Sequence, residues 1–463
     1  MIRTSLALSQ LISTELVVDA SSLDVHVSGV KIDSRTVQPG EVFVAIQGAQ
    51  HDGHDFIDAA IANGAAAVIV SKKVHCDVPV IQVIDTHQAL QCMAITYRQM
   101  FNIPIAAITG SSGKTSTKEC LAAICGQHGA TLSTKGNYNN LYGLPLSMLR
   151  LTDAHQYGVF EVGASYVGEI QQLADILHPD FAVITNAGPS HIAHMGGSIG
   201  AVAKEKGALY SSLGPAGCAI INADDAYYAY WKGVIGDRRC VHFTMDAERY
   251  HALCQDAVNL VLGVSDVRVD ANSSVFTLHT PAGDGMVTLP LLGVHNVQNA
   301  LAAAATAYAM SVPLQAILDG LANCAGAPGR LTVVAAHAGK CLIDDTYNAN
   351  PASFRAAIDV LARKPGVTCL VMGDMGELAD DAAHYHREVG LYAKQAGIDM
   401  LYCCGSMSRI AADSFGAGGY WFADKTQLLE ELLAHLPDSY TVLVKGSRFM
   451  GMEQCVTVLK ENL

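Results

Sequence analysis

The sequence predicts an α/β protein of three domains, on three observations. At 463 residues the chain is long enough for about three domains of roughly 150 residues each. From residue 105 onward, short apolar runs bounded by turn residues alternate with longer stretches of helical periodicity, the pattern of parallel strands joined by crossover helices. Half of the residues are hydrophobic and 16% are charged, so burial can offset chain entropy over most of the length.

Residues 1–102 mix short apolar runs with turn-rich segments, notably Asp33-Ser34-Arg35 and the stretch from Gln47 to His54, and read as a small α/β unit. The second unit, 103–326, enters through Ile105–Thr109, a strand-length apolar run followed by a glycine-rich turn and a helical pattern. Tyr157–Val162, Phe181–Thr185 and Cys218–Asn222 continue that alternation, which predicts a doubly wound parallel sheet. Val275–His279 and Met286–Leu292, joined through Ala282-Gly-Asp-Gly285, predict an added β-hairpin. The third unit, 327–463, carries strand-like runs at Cys341–Asp344, Cys369–Met372, Met400–Cys404 and Thr441–Val444. Between them Phe354, Ala357, Ile358 and Leu361 fall on one helical face, so a second doubly wound sheet is expected.

Charge narrows the partners. The balance of 29 basic and 43 acidic residues gives −14, which disfavours a nucleic acid or an anionic membrane surface. The most apolar helix-like stretch, Ala300–Met310, has about half the length that spans a bilayer, so no transmembrane segment is expected. Arg3 ahead of a short Leu/Ile stretch broken by Ser9 and Gln10 makes a poor signal peptide. Thirteen scattered cysteines without a CxxC pair suit reduced thiols in a cytoplasm, with Cys403 and Cys404 read as core filler.

The strongest chemical signal is Thr109-Gly110-Ser111-Ser112-Gly113-Lys114-Thr115-Ser116. A strand feeding a glycine loop and a helix aims backbone N–H groups and the positive helix end at phosphates. Lys114 adds a point charge there, and the Thr115 hydroxyl can reach Mg²⁺. The general spacing asks for a glycine where Ile108 stands, and an ordinary glycine turn with a solvated lysine stays open. Glu161 closes a strand-like run, at the edge where open sheets bind ligands. It suits a Mg²⁺ ligand, with a helix-capping role as the alternative. His191 also follows a strand, as a metal ligand or a structural loop histidine. His295, Asn296 and Asn299 form a polar lip on an alanine-rich helix and could be simple capping. Gly329-Arg330, the run from Asp344 to Pro351, the run from Gly373 to Glu377 and Lys445-Gly-Ser447-Arg448 lie beside predicted strands, where the basic residues could line a cleft.

Taken in order, GSSGKTSTKE, GNYNNLYGLP, EVGAS, TNAGPSH, GVHNVQNALAAA, GRL, DDTYNANP, GDMGEL and KGSR closely resemble the Mur ligase family, over nearly the whole chain. The resemblance implies a uridine-nucleotide domain at 1–102, a central P-loop ATPase-like domain at 103–326 whose loop has the family's shorter TGxxGKT form, and a Rossmann-like ligase domain at 327–463. It implies an ATP-dependent amide ligase working through an acyl phosphate, with UDP-N-acetylmuramoyl-tripeptide and D-alanyl-D-alanine as substrates. It also implies two Mg²⁺ ions and a carbamylated lysine. By position, Thr115, Glu161, His191 and Lys206 match metal-site residues, with Lys204 two places away leaving the lysine open. Asn299, His295 and Asn296 match the adenine side, and Arg330 and Asp345 match groups that reach phosphate and ribose. Ser34, Arg35, Asn137, Asn139, Asn140, Asn348, Asn350, Lys445, Ser447 and Arg448 are the candidate substrate residues, and a monomer is expected. One departure is Ala379, where the family usually has glycine. The competing readings are a sister ligase that adds the third amino acid, whose DNPR-type motif is absent here, and an ATPase that hydrolyses nucleotide only to change shape.

Overall fold

The computed structural model describes residues 6–270, 272–337, 339–378 and 381–462; Ala379 and Arg3 lie outside them. Three larger sheets organise the described residues, together with a two-stranded one. The N-terminal sheet has five strands in the order Val17–Ala20, Val80–Val83, Ala67–Val70, Val42–Val44, Val30–Lys31, parallel except at the first pair.

The central sheet has nine strands. Seven are parallel, running from Leu260–Val269 through Arg239–Thr244, Cys218–Asn222, Phe181–Ile184, Ile105–Thr109 and Tyr157–Glu161 to Thr131–Ser133. Ile105–Thr109 and Tyr157–Glu161 are buried at every position, as expected of strands covered by helices on both faces. The chain leaves Ile105–Thr109 first toward one side and then toward the other, which makes its carboxyl end the crevice where such sheets bind ligands. The third sheet has six strands, five of them parallel, in the order Thr332–His337, Lys340–Asp345, Tyr440–Lys445, Val367–Gly373, Met400–Cys404, Gly419–Phe422. Phe354, Ala357, Ile358 and Leu361 are all buried on the helix Pro351–Leu361, and Cys403 and Cys404 are buried in their strand.

The hairpin differs from expectation in register. Its strands are Ser274–Thr280 and Gly283–Leu289, and Thr280 pairs with Gly283, so the turn is Pro281-Ala282. The Gly-Asp-Gly stretch lies in the second strand because the helix Leu314–Ala322 packs on it: a Cβ on Gly285 would stand 2.4 Å from Leu318 Cδ1. The hairpin joins the sheet through the strand Leu260–Val269, whose far half alternates between half-buried and exposed positions and gives a weak apolar signal.

How the units meet decides what can move. The helix Thr86–Arg98 carries the N-terminal unit onto the central one: Leu90, Met93 and Tyr97 belong to one apolar core with Leu144, Phe160 and Leu173. Tyr97 Oη donates to the Leu151 carbonyl at 2.6 Å, and Arg98 pairs with Asp180 at 3.2 Å. The C-terminal unit has a core on each face of its sheet, one of which takes in Leu292 of the central unit, and it also meets that unit through the polar groups described below. Among the described residues, no helix is long and apolar enough to cross a membrane.

Candidate active site

Thr109 ends its strand, and the helix Lys114–His128 begins four residues after Gly110. Gly113, at φ +80°, caps that helix, and a Cβ there would stand 2.2 Å from Asn299 Oδ1, so only glycine lets the loop pass the alanine-rich helix Val294–Ala309. The loop is tied to the next strand's end: Ser112 N–H donates to Asn186 Oδ1 at 3.0 Å, and Thr185 Oγ1 donates to the Ser112 carbonyl at 2.6 Å. Ser111 N–H donates to the Asn186 carbonyl at 3.0 Å. Lys114 Nζ folds back onto the Gly110 carbonyl at 2.7 Å.

Glu161 ends Tyr157–Glu161 with its carboxylate on the phosphate loop, accepting from Thr115 Oγ1 at 2.9 Å and from Asn139 Nδ2 at 2.8 Å. The helix-capping alternative is therefore set aside. From the C-terminal unit, Arg330 Nη2 donates to Thr115 Oγ1 at 3.3 Å, although 215 residues separate them. A second cross-unit contact joins His191 Nδ1 to Glu377 Oε2 at 2.7 Å, and both residues hold left-handed backbone, at φ +53° and +63°.

Two cavities open on this assembly and share Arg330. One, about 190 Å³, is lined by Ser112, Gly113, Ser116, His295, Asn296, Asn299, Arg330, Asp345 and Lys445. Its polar lip is internally bonded, Asn299 Nδ2 donating to Asn296 Oδ1 at 3.0 Å and Asn296 Nδ2 to the Leu292 carbonyl at 2.8 Å. Lys445 Nζ reaches Asp345 Oδ2 at 2.6 Å. The other cavity, about 530 Å³, is lined by Lys114, Asn137, Asn139, Asn140, Glu161, His191, Arg330, Tyr347, Asn348 and Arg448, among others.

Cations crowd the seam. Burial pulls the Lys206 ammonium down to about 7, with the charge of Lys114 adding to the fall and Glu205 opposing it. Burial also lowers Lys114, which Glu161 and Glu377 hold up and Arg330 pushes down further. Burial lowers Lys445 and raises Asp345, each against the attraction of the other. Burial and the Lys445 charge press His295 down to about 4.

Several expected residues stand elsewhere. Ser34 and Arg35 stay in the N-terminal unit, Arg35 paired with Asp33 at 2.7 Å, and neither lines these cavities. Asn350 caps the helix Pro351–Leu361, its Oδ1 accepting from Ser353 N–H at 2.8 Å, which an Asn before Pro at a helix start signals. Lys445 lines the smaller cavity with His295 and Asp345, and its Nζ donates to the carbonyl of Asn348, which lines the larger one, at 3.0 Å. Ser447 is buried and joins the Gly376 N–H to the Ala349 carbonyl. Asn140 Oδ1 turns the backbone at Gly143 N–H, 2.8 Å, while lining the larger cavity. Lys206 is buried on the helix Ile199–Ser211 and Lys204 is exposed. Sequence reading passed over Asn186, which also stands just past a strand end, and Tyr347.

Residues 26–98 match the family described as Mur ligase family, catalytic domain; 108–307 match the Mur ligase middle domain; and 329–448 match the Mur ligase, glutamate ligase domain. The UDP-N-acetylmuramoyl-tripeptide–D-alanyl-D-alanine ligase of Escherichia coli K12 is 41% identical over 441 residues, 95% of each chain. The chain belongs to the Mur ligase family. The enzyme of the same name from Bacillus subtilis is 30% identical to this Mur ligase over 453 residues, 94% of each. A solved MurF structure from Acinetobacter baumannii superposes on this Mur ligase with a TM-score of 0.90 at 32% identity, covering all of both chains. The MurF ligase of Thermotoga maritima, solved with ADP, gives 0.81 at 27% identity over 94% of this Mur ligase and 97% of that chain.

Proposed function

We propose that this Mur ligase joins D-alanyl-D-alanine to UDP-N-acetylmuramoyl-tripeptide at the expense of ATP. The observation that carries the reading is the pair of cavities meeting at the phosphate loop, with Arg330 in the wall of both, in a chain whose full-length relatives bear that activity in their names. ATP occupies the smaller cavity, its adenine beside Asn296 and Asn299, its ribose at Asp345 and its phosphates on Gly110–Ser116. The tripeptide carboxylate and the dipeptide enter the larger one. Residues 1–102 hold the uridine nucleotide, 103–326 the ATP, and 327–463 close over both. The reaction runs in the cytoplasm on a monomer.

The carboxylate oxygen attacks the γ-phosphorus and the bond to the ADP oxygen breaks, leaving an acyl phosphate. The dipeptide amine then attacks the acyl carbon, phosphate departs, and the amine loses a proton to give the amide. Phosphoryl transfer depends on positioning and charge neutralisation, which here fall to Lys114, Arg330 and the loop N–H groups. Closure of the C-terminal unit through Arg330–Thr115 and His191–Glu377 keeps water from the acyl phosphate.

Thr115 and Glu161, brought together at 2.9 Å, offer the hard oxygens that Mg²⁺ prefers and would hold the ion. When bound, Mg²⁺ neutralises charge on the transferring phosphate. His191 stands ready for a second ion. Lys206 is the carbamylation site: its ammonium, pulled down to about 7, gives a neutral amine that can take up CO₂ at physiological pH, whereas the exposed Lys204 lacks that burial.

The test is ADP release with mass detection of the product, omitting ATP, Mg²⁺, the sugar tripeptide or the dipeptide in turn. A pentapeptide product from the complete mixture alone is expected; ADP release indifferent to both acceptors, with no amide, would overturn the reading. Lys206→Ala is expected to lose activity that bicarbonate or a small carboxylic acid partly restores, and full activity without either would remove the carbamate.

A further inference from the structure

Tyr347 has no part in the chemistry above, yet it stands where the two cavities meet. Its ring carries two arginines: Arg330 Cζ lies 4.1 Å from the ring centroid and Arg448 Cζ 5.9 Å. All three residues line the larger cavity. The backbone fixes the arrangement, because Tyr347 N–H donates to the Gly329 carbonyl at 3.1 Å, immediately before Arg330. Gly329 holds left-handed backbone at φ +69° and packs closely there: a Cβ would stand 3.1 Å from the Tyr347 nitrogen.

Beyond Tyr347, whose hydroxyl also hydrogen-bonds with it, Arg330 has little to hold it. Its Nη2 donates to Thr115 Oγ1 at 3.3 Å, and its buried Nε has no hydrogen-bond partner. It makes no ion pair among the described residues, so no carboxylate sets the plane of its guanidinium. A planar cation over an aromatic face takes its orientation from that face. The Tyr347 side chain, ring and hydroxyl together, is thus the main neighbour against which the fork rests beside the phosphate loop. Arg448 shares the ring with a side chain 68% exposed, held only by a 4.0 Å contact to Glu453, and so is free to meet an anionic group entering the larger cavity.

We propose that Tyr347 is the positioning residue that aims Arg330 at the phosphate loop, and that by carrying Arg448 on the same ring it makes that aim depend on a carboxylate bound at Arg448. The incoming amine acceptor supplies the carboxylate, so this inference rests on the reading of the larger cavity as the acceptor site. Two like charges lean on one ring in the free protein; a carboxylate on Arg448 draws that guanidinium away and leaves the ring to Arg330. Amide formation then falls when the ring is lost, while ATP binding, which Lys114 and the loop support, is retained.

The experiment uses the full chain with ATP, Mg²⁺, the sugar tripeptide and D-alanyl-D-alanine, and compares the parent with Tyr347→Phe, Tyr347→Leu, Tyr347→Met, Arg448→Met and the Leu/Met double variant. The parent runs first: without amide product the function assignment fails, and the inference falls with it. Given product, Tyr347→Phe is expected to keep kcat within about twofold. The aliphatic variant whose melting temperature matches the parent's is expected to lose about 10- to 100-fold in kcat, with KM for ATP changed less than about threefold. Arg448→Met is expected to cost much less in the aliphatic background than in the parent. Parent kcat in the folded aliphatic variant, an equal loss in Tyr347→Phe, or independent effects of the two positions would each overturn the proposal. Should neither aliphatic variant fold, Tyr347→His, which keeps a ring, takes their place beside Phe; a kcat below a tenth of the parent's in both would overturn it and a kcat near the parent's in both would support it.

Discussion

Replacing Gly113 by alanine asks whether the phosphate loop and the alanine-rich helix are in steric register. Alanine at φ +80° pays about 1–2 kcal/mol for left-handed backbone. Its Cβ, 2.2 Å from Asn299 Oδ1, forces that side chain away from Asn296 and breaks a buried 3.0 Å hydrogen bond, at about 1–3 kcal/mol. The sum is about 2–5 kcal/mol, or roughly 30- to several-thousand-fold in nucleotide affinity if the loop must take its native shape to bind. Calorimetric titration with ADP, read beside thermal melts of the free protein, divides the cost between binding and folding. Adding Asn299→Ala removes the collision and leaves the backbone cost, so the double variant is expected to bind within about 5- to 30-fold of the Asn299→Ala single variant. ADP binding by Gly113→Ala within twofold of the parent, with an unchanged melt, would refute the reasoning.

Three further outcomes are expected. Glu161→Gln keeps the shape that receives Thr115 and Asn139 but loses the charge, so the Mg²⁺ concentration for half-maximal activity is expected to rise at least about tenfold with little change in melting temperature; an unshifted Mg²⁺ titration would remove Glu161 from the metal site. Burial, aided by Lys232, holds His242 at about 4, below the ordinary value near 6.5. Between those pH values the unfolded chain binds a proton that the folded chain refuses, so stability falls as pH drops, by up to about 1.4 kcal/mol per unit for this histidine. Denaturant melts of His242→Leu are expected to show a shallower pH slope, with the share due to His295 remaining; an unaltered slope would show that His242 is not the source. Gly285→Val drives methyls into Leu318 and is expected to cost about 1–3 kcal/mol in melts while leaving kcat untouched, and a neutral melt would contradict the packing.

The central strands were legible in the sequence because parallel strands covered on both faces read as apolar runs, as Ile105–Ile108 does ahead of Thr109. The hairpin was legible but not its turn, since the glycines that suggested the turn serve the close approach of a helix that no local pattern reveals. Leu260–Val269 was missed because its outer half is mixed, with Ser265, Asp266 and Arg268 on an exposed stretch. At the site, strand ends flagged Glu161 and His191, and the glycine loop flagged its own cradle. Which of Lys204 and Lys206 is buried turns on how one helix sits in the core, which spacing alone leaves open. Lys445 could be assigned to a side only once its strand register beside Asp345 was known. Tyr347 escaped notice because an aromatic residue in a polar run announces nothing until two arginines are found over it.

The file of mutually repelling groups from Lys206 through Lys114 and Arg330 to Lys445 has a consequence for the free protein. A chain of net charge −14 gathers these cations along the seam between its central and C-terminal units and sets carboxylates beside them, Glu205 at Lys206, Glu161 and Glu377 at Lys114, and Asp345 at Lys445. On the proposed function, a triphosphate on the phosphate loop adds negative charge to this file, so its binding is expected to tighten the Arg330–Thr115 and His191–Glu377 contacts between the units, and loss of phosphate to loosen them.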